Sequence, residues 1–72
     1  MVSDCMTPAE KGQRYSKIFR KAGNLLSKGN LARAVDVLKE GQVLASEMGD
    51  HAMARQFAAE IERVNKDAEA AG

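Results

Sequence analysis

Ala22-Gly23-Asn24-Leu25-Leu26-Ser27-Lys28-Gly29-Asn30-Leu31-Ala32-Arg33-Ala34-Val35-Asp36-Val37-Leu38 decides the fold of this chain. Ala22, Leu25 and Leu26 continue an apolar stripe at helical spacing, which breaks at Lys28-Gly29-Asn30 and restarts at Leu31. Glycine takes the left-handed conformation that stops a helix, and asparagine is a favoured residue at the start of the next. The stretch therefore reads as two helices folded back through a tight turn.

Upstream, Tyr15, Ile18, Phe19, Ala22, Leu25 and Leu26 lie on one face of a helix predicted over 8–28. Thr7-Pro8-Ala9-Glu10 is a start signal: a capping hydroxyl, a proline suited to the first helical position, and an acid three residues after the cap. Gly12 and Gly23 each cost about 1 kcal/mol relative to alanine inside a helix. Gly12 extends the apolar face by one turn, which reads either as room for another segment or as a weak first turn.

Downstream, a second helix is predicted over 31–48 with two overlapping apolar faces. Leu31, Ala34, Val35, Leu38, Gly41 or Gln42, and Ala45 form one, and Val37, Gly41, Leu44 and Met48 the other. So wide an apolar surface contacts neighbours on two sides, which makes this the middle helix. Gly41 sits where the faces overlap, and its expected role is to let a backbone come close. Gly49-Asp50 repeats the punctuation of Gly29-Asn30. A third helix, predicted over 51–68, carries Met53, Ala54, Phe57, Ile61, Val64 and Ala68 on one stripe, with 70–72 expected to fray. The fold class is all-α: a three-helix antiparallel array over a single domain at 7–70, preceded by a loose tail at 1–6.

Composition agrees. At 72 residues one domain is the ceiling, and its core is thin. Aromatics are 4% of the chain and tryptophan is absent; the apolar content is mainly Ala, Leu, Val and Met, which disfavours a sheet. A single cysteine, Cys5, forms no internal disulfide, and one histidine with one cysteine cannot complete a four-ligand zinc site within the chain. No apolar run approaches the roughly 20 residues needed to span a bilayer. The first residues lack a secretory signal, and with a lone thiol the expected location is the cytoplasm.

Residues 15–48 resemble a single tetratricopeptide repeat, a helix-turn-helix unit of roughly 34 residues. Ala22, Leu25, Gly29, Leu31, Ala34 and Leu38 match the small, large and turn positions of that pattern. Ile18 takes a place usually held by a larger side chain, Gly41 stands where alanine is usual, and Gly49-Asp50 replaces the usual proline. The resemblance implies a repeat hairpin plus a third helix that begins a next repeat or caps the first. About three repeats are needed for a stable stack. One repeat and a helix therefore imply borrowed neighbours, from a second copy or a partner. Asn24 is out of register for the family's carboxylate clamp, so that function is not carried over.

No residue pattern announces chemistry. Ser16, Ser27 and Ser46 lack a nucleophile-elbow context, Glu60 and Glu62 point apart on a helix, and no strand precedes a glycine-rich loop. His51 has Arg55 one turn on rather than a second ligand, and Cys5 beside Asp4 reads as an incidental tail thiol. Met48 and Met53 read as core filler around the second turn. No catalytic residue, cofactor or metal is expected.

Charge is more informative. The first helix and its turn carry Lys11, Arg14, Lys17, Arg20, Lys21 and Lys28 against one acid, Glu10. Most of these bases flank the apolar face. They read either as a solvated face or as a docking surface for an acidic partner. Nucleic acid is the weaker partner, since only Tyr15 could interleave and its spacing places it with the core. The expected function is a small non-enzymatic adaptor that binds another protein through apolar helix faces flanked by this stripe. The alternative is a self-assembling module. The candidate contact residues are Arg14, Tyr15, Lys17, Ile18, Phe19 and Lys21.

Overall fold

The computed structural model of the chain describes residues 8–71, with side chains over 9–69. It contains three α-helices, α1 (Pro8–Ser27), α2 (Leu31–Glu47) and α3 (His51–Ala71), and no strand among the described residues. Thr7 of the predicted capping box and Cys5 lie outside the described residues. The third helix runs past the expected end at Ala68. Asp67-Ala68-Glu69-Ala70-Ala71 contains no breaker before Gly72, and alanine is the strongest helix former, so nothing local stops the helix earlier. No described helix is long and apolar enough to cross a membrane.

The two turns are copies of one device. Gly29 and Gly49 have φ of 81° and 76°, the left-handed region that a side chain disfavours. Asn30 N–H donates to Leu25 C=O at 2.8 Å, and Gly29 N–H to Leu26 C=O at 3.0 Å. The second turn repeats both bonds, Asp50 N–H to Ala45 C=O at 2.8 Å and Gly49 N–H to Ser46 C=O at 3.0 Å. This is the Schellman arrangement, which satisfies helix C-terminal carbonyls that would otherwise lack partners. The residues after the two glycines behave differently. Asp50 caps α3, its Oδ1 accepting the Met53 N–H at 3.3 Å. Asn30 makes no side-chain capping bond, contrary to its expected role. It serves α2 through its backbone carbonyl, which accepts the Ala34 N–H at 3.0 Å.

α2 is the middle helix. It buries Ala34, Val37, Leu38, Gly41 and Ala45, and it packs on both α1 and α3. No Cα of α1 comes within 8 Å of one in α3. The outer helices meet through side chains at the notch left by Gly41. Phe57 of α3 fills that notch and is 0% exposed. A Cβ at position 41 would lie 2.5, 2.6 and 2.9 Å from Phe57 Cε1, Cζ and Cδ1. The close approach at Gly41 is therefore made by an aromatic ring rather than by a backbone. Gly12 admits no neighbour among the described residues, because a Cβ there would meet none of them within 4 Å.

Phe57 gathers the other two aromatic rings of the chain. Phe19 stacks on it with centroids 4.6 Å apart and planes 7° apart, and Tyr15 meets its edge at 5.8 Å and 63°. Burying a phenylalanine contributes about 1.5–3 kcal/mol. Aromatic pairs in these geometries add about 0.5–1.5 kcal/mol each. Elsewhere the core is shallow. Phe57 and Leu38 are the largest fully buried side chains, while Leu25, Leu26, Leu44 and Ile61 are only half-buried around them.

Candidate functional site

The fold separates the six candidate contact residues into two groups. Tyr15 is 7% exposed and belongs to the core, and Phe19 is half-buried against Phe57. Neither is free to lead a contact with a partner. Arg14, Lys17 and Lys21 are exposed on α1, and Ile18 is half-buried beside them. At spacings of three and four residues these cations stand along one side of the helix.

Tyr15 has a defined partner. Its hydroxyl donates to Asp50 Oδ2 at 3.3 Å, while Oδ1 of the same carboxylate caps α3. One acid thus ties the first turns of α3 to α1. The Tyr15 phenol is pushed above its usual value near 10. Burial is the leading cause, since it penalises the phenolate. The negative charge of Asp50 and the hydrogen bond to it add to the effect.

All of the remaining residues but Lys21 border a shallow groove between α1 and α2. Arg14, Lys17 and Ile18 line it from α1, and Glu40 and Leu44 line it from α2. Ile18 and Leu44 are its apolar part, with cations on one wall and an anion on the other. Arg14, Lys17 and Lys21 have no hydrogen bond or ion pair among the described residues. Leu44 lies on the second apolar face read from the sequence, but its meeting with Ile18 depends on how the two helices cross, which periodicity does not encode. Glu40 carried no sequence signal.

A second groove lies between α2 and α3. Leu31, Ala32 and Val35 line one side, and Val64, Asn65 and Ala68 the other. It carries no ionisable group. Among the described residues no three His, Cys, Asp or Glu side chains gather in a metal-binding group.

No protein-family model, curated protein or solved structure matches this chain. The reading of its surfaces accordingly rests on their chemistry. The α1–α2 groove offers exposed, unpaired cations, a small apolar floor and one opposing carboxylate. Ser27, near the end of α1, donates its hydroxyl to the carbonyls of Gly23 and Asn24, both at 3.1 Å.

Proposed function

We propose that this chain is a small non-enzymatic interaction module, a tetratricopeptide-like hairpin with one added helix, that binds another protein. The observation carrying this reading is the thinness of the core. Three helices lie side by side, their largest fully buried side chains are Phe57 and Leu38, and many apolar side chains stay half-covered. Half-covered apolar side chains gain stabilisation when a further polypeptide covers them. The basic row Arg14, Lys17 and Lys21 flanks Ile18 at one such place and adds selectivity for partner charge. The test combines sedimentation with partner capture, using wild type and Arg14→Glu plus Lys21→Glu. The expected outcome is capture that weakens in the variant. A stable monomer that captures nothing and is indifferent to the substitutions would sink the reading.

A second reading is self-assembly, favoured by the uncharged groove of Leu31, Val35, Val64 and Ala68. It requires a melting midpoint that falls on dilution. A midpoint constant across about a hundred-fold dilution, in the regime where mass action should move it, removes it.

A further inference from the structure

The geometry points to one occupant for the α1–α2 groove: an amphipathic helical segment with acidic residues along one edge and an apolar anchor beside them. This deepens the interaction reading and rests on it. Charge complementarity of a particular shape selects this occupant.

Arg14 and Lys17 line the α1 wall, and Lys21 continues the cationic row one turn beyond it. Arg14, Lys17 and Lys21 are exposed and have no anionic partner among the described residues. Their spacing covers seven residues, about 10 Å of helix. A helical segment with carboxylates at spacings of three, four or seven residues presents the same repeat. Beside the cations, Ile18 and Leu44 are half-buried and line the groove, a place for one medium-sized apolar side chain. The α2 wall supplies Glu40. That carboxylate repels a polymer that is negative all round and accepts one that is negative on a single edge. A nucleic acid fits poorly for this reason and for another. Tyr15, Phe19 and Phe57 are the chain's whole aromatic complement; Tyr15 and Phe57 are buried and Phe19 is half-buried with its ring stacked on Phe57, so no ring stands exposed for base stacking.

A second copy is also a poor occupant. Symmetric pairing of this face would bring six cations together, Arg14, Lys17 and Lys21 from each copy, with only one Glu40 per copy from the groove to offset them. The exposed acids of α3, Glu62, Asp67 and Glu69, are interleaved with Arg63 and Lys66, so α3 offers no continuous acidic row.

The test is a titration of the full chain with three fluorescent probes. These are a synthetic amphipathic peptide with glutamates on one edge and leucine anchors, its counterpart with lysines replacing the glutamates, and a DNA duplex. The glutamate peptide should bind, and its affinity should fall as salt rises. Arg14→Glu plus Lys17→Glu should weaken it about tenfold or more, the combined effect of reversing two charge contacts. Arg55→Glu plus Lys66→Glu makes the same change in net charge on α3 and should cost less than about twofold. Equal weakening by the two pairs would mean attraction to net charge without a groove, and would overturn the proposal. Equal or tighter binding of the lysine peptide or the duplex would overturn it as well. A chain that ignores the glutamate peptide but self-associates overturns this occupant and leaves the interaction reading standing. A monomer that ignores the peptide and captures no partner overturns both.

Discussion

Alanine at position 41 sets a gain in helix propensity against a collision, and the structure decides which wins. Gly→Ala in a helix interior stabilises by about 1 kcal/mol through propensity alone. Gly23→Ala should show that gain undiluted, because a Cβ there meets nothing within 4 Å. At Gly41 the new methyl would lie 2.5 Å from Phe57 Cε1. Carbon atoms settle at separations near 3.5 Å, so the ring must withdraw by about 1 Å. It has nowhere to go: Phe57 is fully buried, stacked on Phe19 and bounded by Tyr15. Overpacking of this kind costs about 1–3 kcal/mol. Gly41→Ala should therefore fall below Gly23→Ala by about 1–3 kcal/mol, since the propensity gain is common to both. In a domain of this size each 1 kcal/mol moves the midpoint by about 4–8 °C. Thermal melting followed by far-ultraviolet circular dichroism resolves such a gap. Adding Phe57→Leu removes the ring edge, so the two changes together should cost less than the sum of each alone. A rise in midpoint for Gly41→Ala equal to that for Gly23→Ala would refute the socket.

Two other outcomes follow from the same geometry. Tyr15 is the only tyrosine, so the tyrosinate absorbance of the folded chain reads it alone. Its titration should lie above the usual value near 10, and Asp50→Asn should bring it part of the way back. The unfolded chain then loses the proton first, so this contribution to stability is complete below about pH 10 and is lost as pH rises through the folded value. Tyr15→Phe should flatten that alkaline decline; a normal titration in the folded chain would contradict the burial. At the turns, Gly29→Ala and Gly49→Ala should each cost about 1 kcal/mol, because L-residues resist positive φ. Asparagine should be tolerated better at both, and matching costs at the two sites are the check on their equivalence.

The helical architecture was legible because its signals are local. Glycine followed by Asn or Asp marks both turns, and the double apolar face of 31–48 marks the middle helix. The misreadings concern choices that local pattern leaves open. Asn30 and Asp50 look alike as caps, yet only Asp50 uses its side chain, and the same carboxylate also receives the Tyr15 hydroxyl from 35 residues away. Gly41 marked a close approach, but the expected visitor was a backbone and the actual one is the Phe57 ring, since what enters a notch depends on the crossing of two helices. The basic row of α1 was visible from spacing. Its union with Leu44 and Glu40 was not, because those residues belong to another helix; spacing put Tyr15 and Phe19 on the apolar face of α1 but does not encode that Phe57 of α3 packs on both.

The aromatic cluster also governs how the molecule comes apart. The backbones of α1 and α3 never approach, so the thermodynamic coupling between the two hairpins runs through α2, the Phe57 contacts and the Tyr15–Asp50 bond. With these intact, the chain should melt as one cooperative unit. Without the ring, its two ends should become separately meltable, each held mainly to α2. All three aromatic chromophores sit at that junction, so near-ultraviolet dichroism reports its opening while far-ultraviolet dichroism reports the helices. Divergence of the two melting curves would mark the loss of cooperativity.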